Sequence, residues 1–180
     1  LYERHEAPVS LIGGSLGGIY ARRLARELTD HVRQVITLGS PFRIRPDDRS
    51  AASAMFERFR PMHLVRTEER HIGEAPEPLT VPTTAIYTKT DGVVRWWQCI
   101  EDVGPERENI EVYGSHSGLG FNPAVIYAIT DRLAQAPGEW RPFRAPCGAG
   151  RLYPTPAERY LPEHDLDLDE EDPGLTADAV

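Results

Sequence analysis

The sequence predicts an α/β protein: a mostly parallel sheet sandwiched between helices in a three-layer α/β/α arrangement. Three observations carry that expectation. Four short apolar runs recur along the chain, "VSLIG" (9–13), "VRQVITLGS" (32–40), "VPTTAIYTK" (81–89) and "NIEVYGSH" (109–116). Segments of helical periodicity fall between and after them. With 40% of its 180 residues hydrophobic and 27% charged, the chain has enough apolar surface for one core of its own. Strand alternating with helix in this way builds parallel sheets covered on both faces.

Each element follows from its residues. After the first run, "LGGIYARRLAREL" places Leu16, Ile19, Tyr20, Leu24 and Leu28 at helical spacing. After the second, residues 43–79 break the rhythm with one helix over about 48–60 and then a polar, proline-bearing stretch, a lid-like insertion of the kind that shapes a substrate entrance. After the third comes "RWWQCIEDV", read as a short amphipathic helix in which at least one of Trp96 and Trp97 packs inward. After the fourth comes "NPAVIYAITDRLAQA", with Asn122 as the cap and Pro123 in the first turn. The folded domain is expected over residues 1–145, with 146–180 forming a proline- and glycine-bearing linker and a tail. No internal repeat is visible.

Charge narrows the function classes. The formal net charge is −8, but residues 158–180 hold nine acidic side chains against one arginine. Residues 1–157 therefore carry 19 basic and 19 acidic side chains, and a neutral body gives no reason to expect a nucleic-acid partner. The acidic tail, without aromatics from 161 onwards, is expected to be disordered and solubilising. No run of eighteen apolar residues is present, and the N-terminus lacks the basic-then-apolar order of an export signal, so a cytoplasmic protein without a membrane span is expected. Two cysteines, Cys99 and Cys147, are too few for a disulfide scaffold and wrongly spaced for a metal site; buried or idle thiols are expected, a single bridge between them being the alternative, with no metal and no cofactor.

The chemistry gathers at "LIGGSLGGIY". Gly13-Gly14-Ser15-Leu16-Gly17 fits G-x-S-x-G between a strand and a helix, the context of a turn that presents a serine nucleophile. The turn forces a strained backbone on the serine, so the residues two before and two after it, Gly13 and Gly17, are expected to have no room for side chains. A nucleotide loop is the competing reading and is disfavoured, because the phosphate-binding lysine is missing and the glycines do not fall at G-x-G-x-x-G spacing. A nucleophilic serine needs a base and an acid to orient that base. Asp91 directly follows the third apolar run, and His116 directly follows the fourth. Strand ends of one parallel sheet converge, so the three can meet at one edge. Asp47 and Asp48 are weaker rival acids that are expected to cap the insertion helix. His5, His31, His63, His71 and His164 lie in polar or helical surroundings and are expected to face solvent.

With "VSLIGGSLGGIYAR", "VRQVITLGSPF", "AIYTKTDGVVRWWQC" and "VYGSHSGLGFNPAVIYAITDRL" in that order, the chain resembles the serine-esterase and lipase branch of the α/β-hydrolase superfamily over residues 8–136. The resemblance implies the C-terminal half of that fold. It further implies an acyl-enzyme route to ester hydrolysis in which Ser15 attacks, His116 shuttles the proton, Asp91 orients the imidazole and the Leu16 N–H donates to the oxyanion. The expected partner is a small-molecule ester or lipid. An acyltransferase would use the same residues, and a catalytically silent interaction module is the alternative from another class. Such hydrolases carry four further strands before this turn, and the second oxyanion donor comes from a loop among them. Losing one donor costs about 10²- to 10³-fold in rate. An apolar edge is then expected along residues 8–13, and with it either a homo-oligomer paired through that edge or a preceding segment in the gene product.

Overall fold

The computed structural model describes residues 2–43 and 78–159. A short helix α1 (Tyr2–His5) is followed by β1 (Val9–Gly14), α2 (Leu16–Glu27) and β2 (Val32–Leu38). Beyond the insertion come β3 (Thr83–Tyr87), β4 (Arg107–Glu111) and α3 (Pro123–Ala134). The four strands form one sheet in the order β1-β2-β3-β4, all parallel. Every strand therefore points its C-terminal end to the same edge.

Period-two alternation decides which side chain meets which helix. On one face Val35 of β2 and Leu11 of β1 join Leu79 and Val81 against Ala21 and Ala25 of α2. On the other face Ile36, Ile86 and Ile110, one from each of three strands, pack on Val125 and Ala128 of α3. The result is the expected three layers. All five residues of β3 are buried, as an interior parallel strand requires. By contrast β1 lies at the edge of the sheet, and its Ile12 is 45% exposed.

Two details of the sequence reading change. The "RWWQCIEDV" segment makes only a 3₁₀ turn, Trp96–Cys99, in place of the expected amphipathic helix. Trp96 stacks on Tyr87 at 5.8 Å and Trp97 is buried, so both indoles serve packing. Residues 146–159, linker-like in composition, are tied across the sheet. The Tyr153 hydroxyl donates to the Ala124 carbonyl at 2.9 Å, the Ala157 N–H to the Tyr87 hydroxyl at 2.8 Å, and Asn109 Nδ2 to the Ala157 carbonyl at 2.8 Å. Of the insertion expected over residues 43–79, residues 44–77 lie outside the described residues, as does the acidic tail from 160.

A buried charge pair ties α2 to the segment that precedes β4. Arg22, on the inner side of α2, pairs with Glu101, and its guanidinium lies 3.9 Å over the Phe42 ring. Burial, with the neighbouring Arg26 and Arg43 charges, pushes its pKa down to about 9, still cationic at neutral pH. Among the described residues, no helix is long and apolar enough to cross a membrane.

Candidate active site

Ser15 sits at the junction of β1 and α2 with φ 52° and ψ −126°, a conformation that side-chain-bearing residues avoid. Two hydrogen bonds hold it there. Its N–H donates to the Leu38 carbonyl at 2.9 Å, and its carbonyl accepts from the Gly18 N–H at 3.1 Å. Tight approach of strand end and helix start is what makes the bend possible, and it leaves no space at Gly13. A Cβ there would lie 2.5 Å from Gly18 N and closer still to the Gly17 carbonyl.

The second position without room is not the expected one. A Cβ at Gly17 meets nothing within 4 Å, whereas one at Gly18 would lie 2.6 Å from Ser40 Cβ and 2.9 Å from the Gly13 carbonyl oxygen, and nearer yet to Ser40 Oγ. The helix turns Gly17 away from the strand and Gly18 towards β2. Sequence spacing around the serine could not reveal this, because the obstructing residue comes from another strand.

Asp91 follows β3 by four residues and is 4% exposed. Its Oδ1 accepts from the N–H groups of Val93 at 3.0 Å and Val94 at 2.7 Å, so one carboxylate oxygen is fixed by the chain just beyond it. Its carbonyl accepts from the His116 N–H at 3.1 Å. The two loops are joined again where the Thr88 and Thr90 hydroxyls donate to the Gly114 carbonyl at 3.1 and 2.7 Å. These two threonines were not singled out in the sequence; their only signal was hydroxyl side chains flanking a strand end.

His116 follows β4 by five residues, and its ring bridges the other two side chains. Nδ1 lies 2.8 Å from Asp91 Oδ2, and Nε2 lies 3.0 Å from Ser15 Oγ. A carboxylate can only accept, so the ring proton sits on Nδ1 and donates to Asp91, leaving the Nε2 lone pair to accept from the Ser15 hydroxyl. The ring is only 11% exposed. The three predicted side chains are therefore brought together from three strand ends. Leu16, the fourth predicted residue, begins α2, so its N–H belongs to the first turn that helix geometry leaves without an internal acceptor.

Of the other candidates, the described ones lie away from the site. His5 and His31 are exposed and lie before the N-terminal ends of β1 and β2, with the His31 ring against Tyr2. Asp47, Asp48, His63, His71 and His164 lie outside the described residues. Cys99 is buried and free, and burial together with the nearby Asp91 charge pushes its thiol pKa well up, which keeps it from acting as a thiolate. Cys147 is free and exposed. Among the described residues no group of three or more His, Cys, Asp or Glu side chains is placed to hold a metal ion.

No protein-family model matches the chain, and no curated protein matches it significantly. Solved structures similar to it include an alpha/beta hydrolase enzyme from the metagenome of sediments of the Mar Chica lagoon in Morocco (15% identity, TM-score 0.48, 73% of this chain and 63% of that one). Another is the alpha/beta hydrolase domain-containing protein 10 from mouse (19%, 0.45, 71% and 60%). A pyrethroid hydrolase, PytH, is a third (17%, 0.46, 77% and 74%). The chain thus spans less than two thirds of the first two. At these scores the likenesses bear no weight for activity, which has to be read from the chain's own geometry.

Proposed function

We propose that this chain is a serine hydrolase of the α/β-hydrolase type that cleaves carboxylic esters through an acyl-enzyme on Ser15. The observation that supports the reading is the imidazole of His116 held between Ser15 Oγ at 3.0 Å and Asp91 Oδ2 at 2.8 Å. Each distance is that of a hydrogen bond, and together they give the base its tautomer and its aim.

Ser15 Oγ attacks the ester carbonyl carbon while its proton passes to His116 Nε2. Asp91, buried and already pinned through Oδ1, stabilises the imidazolium through Oδ2. The negative charge on the former carbonyl oxygen develops at the start of α2, where the Leu16 N–H donates to it and the helix dipole favours it. Collapse breaks the ester C–O bond, and the leaving oxygen takes the proton from Nε2. Water then attacks the acyl-enzyme, gives one proton to Nε2, and the acid departs as Ser15 recovers its hydrogen. Strain at Ser15, worth about 1–3 kcal/mol, is consistent with a residue held for chemistry rather than for stability. Replacing the water by an alcohol or amine makes the same site an acyltransferase.

The second reading, a silent interaction module, is favoured by the β1 edge, which has no strand partner on its outer side among the described residues, and by its exposed Ile12. Labelling with a fluorophosphonate separates the two. An enzyme is modified at Ser15, is not modified in Ser15→Ala, and is slowed about 10²- to 10⁴-fold in His116→Ala. Absence of labelling in the native, folded chain would discard the hydrolase reading.

A further inference from the structure

Two residues beyond the end of β2 lie between the two halves of the site. Ser40 is fully buried against the serine turn, and its Oγ donates to the carbonyls of Gly13 and Leu38, both at 3.3 Å. Gly39 faces the opposite way. Its N–H donates to the Ile86 carbonyl at 2.9 Å and its φ is +49°. A Cβ at this position would lie 3.2 Å from Asp91 Oδ2, 3.4 Å from His116 Nδ1 and 2.8 Å from Leu119 Cδ1. The first two atoms are the two ends of the Asp91–His116 hydrogen bond.

Both residues are anchored at atoms other than the two that form the bond. Asp91 Oδ1 is held by the Val93 and Val94 N–H groups, and the His116 backbone is bonded to the Asp91 carbonyl. Gly39 itself is fixed by Ile86 on one side and by the buried Ser40 on the other. Pressure from a side chain at 39 therefore falls on the Oδ2–Nδ1 pair as well as on Leu119.

We propose that Gly39 is a positioning residue: the missing side chain at the end of β2 is what lets Asp91 and His116 close to hydrogen-bond distance. Its catalytic consequence rests on the hydrolase reading above, whereas its geometric consequence does not. A methyl group at 39 displaces the imidazole from the carboxylate by a few tenths of an ångström. Misplacements of about 1 Å cost on the order of 10²-fold in rate, so this smaller one is expected to cost roughly tenfold.

The test is Gly39→Ala in the full chain, with folding checked by circular dichroism. The first readout is the far-downfield proton resonance of His116 Nδ1–H, assigned by its loss in His116→Ala. The second is the fluorophosphonate labelling rate constant at saturation, compared with the half-saturating concentration. Gly138→Ala is the control for left-handed backbone alone, because Gly138 has φ +79° and a Cβ there meets nothing within 4 Å. Gly39→Ala/Leu119→Ala removes the Leu119 collision and leaves the two polar contacts.

The expected result is a lost or shifted downfield proton and roughly tenfold slower saturated labelling in Gly39→Ala, with half-saturation unchanged. The Leu119→Ala double variant keeps the defect, and Gly138→Ala behaves as wild type. A folded Gly39→Ala with the wild-type proton and rate overturns the proposal, as does recovery in the double variant. If Gly39→Ala does not fold, rescue by Asp91→Ala supports it, and rescue by Leu119→Ala instead overturns it. A wild-type chain that shows the downfield proton but takes no label refutes the hydrolase reading and leaves the positioning test intact.

Discussion

Gly13→Ala puts the serine turn under a load that the structure allows to be worked out. The added methyl would lie 2.5 Å from Gly18 N and closer to the Gly17 carbonyl, all of it backbone. Carbon contacts sit at about 3.5–4.0 Å, so the end of β1 and the start of α2 must separate by about 1 Å. No rotamer change relieves this. Overpacking costs about 1–3 kcal/mol, and contact with backbone on both sides places this case at the upper end. At about 2–4 °C per kcal/mol for a chain of this size, the melting temperature is expected to fall by about 6–12 °C. Moving Ser15 away from His116 by the same distance is expected to slow fluorophosphonate labelling on the order of 10²-fold. Gly17→Ala is the matched comparison, since its methyl meets nothing within 4 Å. Alanine is favoured over glycine within a helix by about 0.5–1 kcal/mol, so this variant is expected to melt at or slightly above wild type. Differential scanning calorimetry and the labelling assay on both variants decide the matter. A Gly13→Ala protein with wild-type melting and labelling, or a Gly17→Ala protein damaged as badly, would refute the reasoning.

The remaining predictions concern the scaffold. Arg22→Met strips the buried Glu101 carboxylate of its counter-charge, which is expected to cost about 3–5 kcal/mol in urea denaturation. Adding Glu101→Gln should recover most of it, and an equally unstable double variant would show that the pair itself is not the cause. Burial pushes the Glu108 carboxyl above its ordinary value of 4.5, against hydrogen bonds from the Phe143 N–H, Arg132 and Thr84. The folded chain then keeps this proton at a pH where the unfolded chain has lost it. Its contribution to stability is therefore full below 4.5 and lost as pH rises through the folded-state value. Melting temperature followed over that window should decline less in Glu108→Gln than in wild type; parallel curves would contradict the assignment. Finally, association through the β1 edge, unpaired among the described residues, predicts a mass that grows with concentration in light scattering, and Ile12→Lys should suppress it. A wild-type monomer at every concentration would rule it out.

Much of the fold was legible because each element carries its own signal. The run from Val32 to Leu38 alternates two apolar partners, Val35 for α2 and Ile36 for α3, and both faces needed apolar residues only because both are covered. Asn122 and Pro123 marked the start of α3, and the Asn122 side chain does accept from the Ala124 N–H at 2.9 Å. The reading stopped where contacts cross the chain. Nothing in "RWWQCIEDV" says that Trp96 will be drawn onto Tyr87, or that the segment will make a single 3₁₀ turn. Likewise "APCGAGRLYPTPAER" has a linker's composition, and only the Tyr153 and Ala157 hydrogen bonds make it a strap.

The same limit explains which parts of the candidate site could be read. Ser15, Asp91 and His116 each follow an apolar run, and a parallel sheet carries every run to one edge, so three local signals suffice to bring them together. Of the glycines that crowd them, only Gly13 was marked by the pattern. Gly18 is tight because of Ser40, and Gly39 because of Leu119 and the Asp91–His116 pair, and each of these neighbours lies more than twenty positions away. A G-x-S-x-G pattern weighs Gly17 and is silent on Gly39, since a pattern registers distance along the chain and steric demand registers distance in space. In a parallel sheet these two measures part most widely at the strand ends, where loops from separate crossovers crowd together. The support for a triad on such a sheet is therefore to be sought in the small residues just past each strand, whatever their place in the motif.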